Sequence, residues 1–540
     1  MAITTTKLTA RILSSLLPAY GVKDVVLSPG SRNAPLIVAL GRNPLLTAQT
    51  VVDERSAAFI ALGIAIQSRR PVAVVCTSGS ALLNYAPAVA EAYYRHVPLI
   101  VVSADRPEQW IDRDDSQTIR QQGVLANIVK RSVNLSADLE VVGDGARRAN
   151  LLINEALTAC ITGEAGPVHI NVAFDTPLAE IDEFDVDEGR YIPTIAPTPT
   201  FPTAEIRQIG LGLAESKVLI VCGFMPPDSV LNRAMLRIAA KTNIVVLAEA
   251  TSNVHAEGVI SSPGRLTYKA LNEEFTPDVV ISCGGSLVNA DLKTWLRRLP
   301  QSVEHWRVDM SDTLLDTFSH LTRRFALPTA TFFRQLASAL HPYDPQSNYA
   351  QIWHKCLGMT RLAEDFDRQP FKAVISLVPA NWNVHFSNGM TIRYAQTYDC
   401  ARLHRCESNR GVSGIDGSVS TALGASLAYK AAPTVLLTGD MSMQYDIAAL
   451  SSQCLTPRLK IVVFDNHGGG IFRQVAACRL LPEVEERFTA STAMSLPLQK
   501  LAEAYDFAYF QSDSIDGIKA AFREFARENA RPAILHIKLL

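Results

Sequence analysis

The chain has 540 residues, 48% hydrophobic and 19% charged, with a formal net charge of -2. That is ordinary soluble globular composition, long enough for about three domains of ~150 residues each. Near-neutral charge gives nucleic acid or a membrane surface little to grip, and no stretch reaches the ~18 consecutive apolar residues of a membrane span.

The amino terminus, MAITTTKLTARILSSLL, reads as an amphipathic helix of the first domain, because it lacks the long apolar core and small-residue cleavage site of a signal peptide. The runs DVVLSPGS, PVAVVCTSGS and PLIVVSADRP follow as strands, the first ending near Ser31 and Arg32, the third at Arg106. Between them TVVDERSAAFIALGIAI places Glu54 at the end of an apolar strand and at the start of an Ala-rich helix. Taken alone, Asp-Glu at a helix start merely complements the helix dipole. SQTIRQQG adds Gln117 and Arg120. The segment IPTIAPTPTFP, with four prolines in eleven residues, reads as an extended linker.

The middle part repeats the alternation with KVLIVCGF, NIVVLAEA and DVVISCGG, and a second break falls at HPYDPQSNY. The last part has PTVLLTGD, KIVVFDNHGGG and PAILHIKL as strands. Continuous apolar strands separated by helices of ~10–15 residues indicate parallel, doubly wound sheets covered on both faces. The expected fold is therefore α/β, with three domains at about 1–190, 203–340 and 346–540. The nine cysteines are scattered, mostly in apolar runs and with no Cys-x-x-Cys pair. Buried reduced thiols in a cytoplasmic protein are expected, not a zinc ribbon or a redox dithiol.

The outer parts echo each other. Strand, small polar turn, helix, strand and a closing Asp recur, with 25 residues from Ser80 to Asp105 and 23 from Ser442 to Asp465. Related domains building one site, or a chance likeness of two βαβ units, both fit. In the last part Asp440 ends one strand and Asn466 the next, 26 residues later. Adjacent parallel strands end on one edge, where open α/β sheets bind ligands. A carboxylate, an amide oxygen and a carbonyl such as that of Gly468 are hard ligands suited to Mg²⁺. A helix beginning near Ser442 would offer backbone N–H groups to an anion. The composite is a Mg²⁺-diphosphate site without a Walker lysine; the alternative is that Asp465 ends a strand and caps a turn. Neither G-x-G-x-x-G nor G-x-x-x-x-G-K occurs, which weakens dehydrogenase and P-loop readings. Arginines at loop tips, including Arg393 and Arg410, suit bidentate binding of carboxylates, although each alone also reads as a surface or structural residue.

Gly-Asp followed by DNHGGG resembles the thiamine diphosphate motif of decarboxylases and acetohydroxyacid synthases. A narrower resemblance rests on SPGSRNAPL, DERSAAF, TSGSALLNYAPAVAEA, SADRPE, QTIRQ, SNRGVSGIDG, GDMS and GGGIF. Together these strings closely resemble the 2-succinyl-5-enolpyruvyl-6-hydroxy-3-cyclohexene-1-carboxylate synthase family of menaquinone biosynthesis. The resemblance implies that 2-oxoglutarate is decarboxylated and its succinyl unit added to isochorismate, with thiamine diphosphate and Mg²⁺ or Mn²⁺. It implies Asp440, Asn466 and Gly468 as metal ligands, and Glu54 as the acid that activates the cofactor. Cofactor contacts would come from Glu54, Ile415, Gly439, Asp440, Met441, Ser442, Asn466, Gly468, Gly469 and Ile471. Substrate contacts would come from Ser31, Arg32, Arg106, Gln117, Lys293, Arg393, Arg410, Ile471 and Phe472. Because Glu and the diphosphate site come from different subunits in this fold, a homodimer at least is implied, with a tetramer as the larger assembly.

Two positions depart from the family pattern: Asp465 stands in place of the usual first Asn, and Gly389 in place of a Ser. His467 reads as a solvated turn residue, and the middle part has no fingerprint for FAD. The runner-up function is another thiamine diphosphate-dependent carboligase, which would not need the acceptor-binding arginines. The remaining reading is a degenerate, non-catalytic member of the fold.

Overall fold

Runs of valine and isoleucine become the central strands of three parallel sheets. The computed structural model describes residues 2–538 apart from 142, 185–187, 196, 198, 343, 361–367 and 491–495. The first unit contains β1 (Ala2–Thr5), β2 (Asp24–Leu27), β3 (Thr47–Thr50), β4 (Val72–Cys76), β5 (Leu99–Asp105), β6 (Arg131–Leu135), β7 (Val168–Ala173) and β8 (Ile181–Phe184). The second contains β9 (Val218–Cys222), β10 (Ile244–Ala248), β11 (Val279–Cys283), β12 (Glu304–Asp309) and β13 (Leu321–Ala326). The third contains β14 (Asn383–Phe386), β15 (Arg405–Glu407), β16 (Thr434–Gly439), β17 (Leu459–Asp465), β18 (Ala508–Ser512) and β19 (Ala533–Lys538). The described residues of the Pro-rich segment 192–202 and of 341–348 lie in no helix or strand.

The sheet orders are β3-β2-β4-β5-β7-β6, β10-β9-β11-β12-β13 and β15-β14-β16-β17-β19-β18. Counted from its own first strand, each outer sheet runs 2-1-3-4-6-5, so the echo between the outer parts is an identity of topology. The period-2 alternation of a strand buries both faces. Val72, Val74 and Cys76 of β4 face one core, and Ala73 and Val75 face the other. The amino terminus differs from the expected helix. Residues Ala2–Thr5 form a strand antiparallel to β8, and the helix starts at Leu8. β-branched Ile3, Thr4 and Thr5 favour an extended chain before it.

One apolar core is shared by the first and third units. The helix Glu54–Ser68 is buried continuously from Ser56 to Ile66, and the helix Ser418–Ala428 from Ser418 to Ser426. They cross through two glycines: a methyl at Gly63 would overlap the Thr421 carbonyl, and one at Gly424 the Ile60 carbonyl. Backbones at this separation exclude any Cβ.

Candidate active site

The third sheet reverses its winding between β14 and β16, the position at which open α/β sheets form a ligand crevice. β14 pairs β16, and β16 pairs β17, all parallel, so Asn388, Asp440 and Asn466 follow three neighbouring strand ends. Asp440 is the first residue of the short helix Asp440–Tyr445. The helix thus opens two residues before the expected Ser442, because the strand ends at Gly439 and the chain turns at once. Asp440 is 8% exposed, and the backbone N–H groups of Met441 and Gly468 hydrogen-bond its carboxylate. Burial, and then the nearby charge of Asp465, pushes that carboxyl up to about 6. Among the described residues it makes no ion pair. A buried anion without a cationic partner is costly, and a bound divalent ion removes that cost, so the residues present fit Mg²⁺ or Mn²⁺.

Asn466 is half-buried, and a Cβ on Gly470 would lie 2.7 Å from its amide nitrogen, so the glycine run leaves room for that side chain. The Gly468 carbonyl accepts from the Gly470 N–H at 2.9 Å and keeps a second lone pair. No group of three His, Cys, Asp or Glu side chains is placed to hold a metal among the described residues. A site of one carboxylate, one amide and one carbonyl is of a different kind. The Ser442 hydroxyl donates to the Ile415 carbonyl at 2.7 Å, fixing the loop on which Ile415 is 36% exposed. Gly439, Met441, Gly469 and Ile471 are half-buried around these residues in sequence, and Phe472 is exposed.

Asp465 does more than cap a turn. It is buried and bonds the His536 Nε2 at 2.8 Å, while the His467 N–H donates to its other oxygen at 3.2 Å. Burial works against its charge, but these hydrogen bonds hold the carboxyl below its ordinary range. His536 continues to the Tyr509 hydroxyl at 2.9 Å, so the departure from the family pattern belongs to a polar chain across β17, β19 and β18.

The first sheet carries the other predicted residues on its equivalent edge. Ser31 is exposed, whereas Arg32 is buried and its Nη1 donates to the Phe174 carbonyl at 2.9 Å. Arg106 pairs with Asp115 at 3.0 Å and donates to the Ser116 carbonyl at 2.7 Å. Arg120 pairs with Asp112 at 2.6 Å. Arg106 and Arg120 are thus engaged by their own loop, which tempers the expectation of free clamping groups. Gln117 folds onto the end of β4, its amide donating to the Ser78 carbonyl at 3.1 Å. Glu54 begins its helix behind the Asp53 cap, is half-buried and accepts from the Asn84 amide at 3.2 Å. The preceding β3 is an exposed edge strand, not the apolar strand expected. Among the described residues no hydrogen bond or ion pair joins Glu54 to Asp440, Asn466 or Gly468.

Lys293 on the helix Ala290–Leu296, Arg393 on the helix Met390–Ala395 and Arg410 in the loop after β15 lie within one another's electrostatic reach. Arg410 is buried; its Nη1 donates to Asn388 Oδ1 at 2.9 Å, and its Nε has no hydrogen-bond partner among the described residues. Asn388, absent from the predicted set, also donates to the carbonyls of Asn409 and Gly414, at 2.6 and 2.7 Å. Glu91 was missed as well: its carboxylate accepts from the Gly411 and Val412 N–H groups, both at 2.8 Å, across to the Arg410 loop. The signal for Asn388 was its place after an apolar strand. Glu91 had none, since a Glu inside an Ala-rich helix ordinarily faces water.

The thiamine pyrophosphate enzyme N-terminal TPP binding domain matches residues 8–124, and the corresponding C-terminal TPP binding domain matches residues 388–537. The chain is 36% identical to the 2-succinyl-5-enolpyruvyl-6-hydroxy-3-cyclohexene-1-carboxylate synthase of Porphyromonas gingivalis, over 98% of this chain and 93% of the relative. It is 35% identical to the synthase of that name from Desulfotalea psychrophila, over 93% and 94% respectively. For the one from Flavobacterium psychrophilum the identity is 37%, over 93% and 90%. With both cofactor-binding domains present and near-complete coverage of such relatives, the chain belongs to the thiamine diphosphate-dependent 2-succinyl-5-enolpyruvyl-6-hydroxy-3-cyclohexene-1-carboxylate synthase family.

Proposed function

We propose that this enzyme decarboxylates 2-oxoglutarate and adds the remaining four-carbon unit to isochorismate, releasing CO₂, in menaquinone biosynthesis in the cytoplasm. The observation that carries the reading is that Lys293 of the middle unit and Arg393 and Arg410 of the third act on one another's charge, with Arg410 hydrogen-bonded to Asn388, which follows the strand next to the one that ends before Asp440. Two dicarboxylic substrates suit a cluster of cations, and planar guanidinium groups bind carboxylates bidentately.

Thiamine diphosphate, when bound, supplies the nucleophilic carbon and the electron sink for decarboxylation. Asp440, Asn466 and the Gly468 carbonyl would hold Mg²⁺ or Mn²⁺, which would neutralise the charge of a diphosphate. Glu54 would supply the carboxyl that gives and takes a proton at the bound cofactor, and Ile415 would give it an apolar contact. Ser31, Arg32, Arg106 and Gln117 orient substrate from the first sheet edge, and Ile471 and Phe472 close the apolar wall. In this reading residues 1–190 serve the pyrimidine, 346–540 serve the diphosphate, and the middle unit at 203–340 contributes Lys293.

The protein works as a homodimer or as a tetramer built from two such dimers, with Glu54 reaching the diphosphate site of another subunit. Two features support this: Glu54 is only half-buried within one chain, and Val412, Ile415, Phe472, Val475, Leu480 and Leu481 are exposed apolar side chains around the third-sheet edge. The test is the loss of isochorismate absorbance with thiamine diphosphate and Mg²⁺, with 2-oxoglutarate added or withheld. Loss that needs both cofactor and 2-oxoglutarate supports the reading. CO₂ release without loss of isochorismate assigns a different acceptor.

A further inference from the structure

Glu249 is a buried carboxylate that the chemistry above does not use. It directly follows β10, at the junction of the middle and third units. Its Oε1 accepts from the Val288 and Asn289 N–H groups, both at 2.8 Å, and its Oε2 from Val288 at 2.7 Å. Asn289 then caps the helix Ala290–Leu296, its Oδ1 accepting from Leu292 at 3.0 Å, and its carbonyl accepts from the Lys293 N–H at 3.2 Å. The next residue, Ala250, donates its N–H to Gln396 Oε1 at 3.0 Å, and Gln396 closes the helix that carries Arg393. The Ser286 hydroxyl, two residues before Val288, donates to the Arg410 carbonyl at 3.0 Å. Two consecutive residues of the middle unit therefore touch the segments that carry Lys293 and Arg393, and the loop they hold touches Arg410.

The charged groups facing Glu249 are Arg410 and Lys293, with the Tyr268 hydroxyl also in its field. Lys293 faces Arg410, Arg297, Arg393 and Glu249; Arg410 faces Glu249, Arg393 and Glu91. We propose that Glu249 is a positioning residue for the cation cluster: it fixes the segment bearing Lys293 and supplies the counter-charge that holds Lys293, Arg393 and Arg410 together before a dicarboxylate arrives. This rests on the reading of those three side chains as a carboxylate clamp. Like charges in a half-buried site repel strongly, and burial followed by Arg410 already draws the Lys293 ammonium below its ordinary range, while Glu249 acts in the opposite sense. Removing the carboxylate makes Lys293 lose its proton at lower pH.

The test is kcat/KM for 2-oxoglutarate and for isochorismate from neutral to alkaline pH, with Tm measured in parallel. The variants are Glu249→Gln, Glu249→Asp, Lys293→Arg and the double Glu249→Gln/Lys293→Arg. Glu249→Gln is expected to move the alkaline limb down by about one pH unit, about tenfold in kcat/KM beyond it, chiefly through KM. Glu249→Asp, which keeps the charge, returns the limb toward its original position. In the Lys293→Arg background the limb no longer responds to residue 249, because arginine does not titrate there. A limb that stays in place in Glu249→Gln while only Tm falls overturns the proposal. Should Glu249→Gln not fold, Lys293→Arg alone decides: an alkaline limb unchanged by it also overturns the proposal. If alanine at Lys293, Arg393 and Arg410 in turn leaves both KM values unaltered, the clamp reading fails and this proposal with it. If those variants raise KM and the Glu249 variants leave the limb alone, only the proposal fails.

Discussion

In the proposed reading Glu54 and Asp440 divide the chemistry, and among the described residues of one chain no hydrogen bond or ion pair joins the two side chains. A buried acid works in proton transfer at the cofactor only where water is excluded, and within one chain Glu54 is half-buried with Asn84 as its partner. Glu54→Gln should lower kcat by about 10²–10⁴-fold while thiamine diphosphate still binds, measured by calorimetry beside turnover. Near-normal turnover would remove Glu54 from the mechanism. The residues ending apolar strands were legible, because a small polar side chain after a buried run has few reasons to be there. Arg106 and Gln117 were legible only as positions. What their side chains touch is set by the fold of residues 112–118, where local carboxylates and carbonyls satisfy Arg106 first. Glu91 and Glu249 were not legible at all, since a buried carboxylate is identified by partners hundreds of residues away in one case and about forty in the other.

Among the elements, the strands that sequence identified are those buried on both faces, where Val and Ile run uninterrupted. Edge strands escaped it, apart from β10, which is buried throughout. β3 is TAQT and largely exposed, and β13 is LTRRFA with only Phe325 buried. β15, also an edge, consists of three residues, RCE, all buried. Its polarity is explained by docking onto the first unit: Glu407 pairs with Arg95 at 2.6 Å and Arg405 at 2.7 Å, and Arg405 also donates to the Ile66 carbonyl at 2.8 Å. Burial alone would raise the Glu407 carboxyl, but Arg405 and Arg95 bring it from 4.5 down to about 2. A carboxylate depressed in the folded state stabilises above its unfolded pKa and loses that contribution as pH falls. The cluster is therefore expected to contribute about 3 kcal/mol at neutral pH, lost between about 4.5 and 2. Glu407→Gln should cost about 3–5 kcal/mol in urea unfolding near neutral pH and less in acid. An equal cost at both would show that the pairing does not govern this junction.

For the whole molecule, the proposed assembly predicts complementation. Glu54→Gln and Asp440→Ala chains are each expected to be inactive as homodimers. Co-expressed, they form heterodimers in which one of the two sites keeps both residues, so that about a quarter of wild-type activity returns. No recovery in a confirmed heterodimer would place Glu54 and Asp440 in the same chain's site. The shared core of the outer units has a further consequence, for synthesis. The helix Ser418–Ala428 begins 350 residues after Ser68, the end of the helix it crosses at Gly63 and Gly424. At about 5–20 residues per second, the nascent chain waits about 20–70 s for its mate. Through that interval the apolar face around Gly63 has nothing to cover it. A ribosome that stalls before codon 418 releases a chain whose fate is a chaperone or an aggregate.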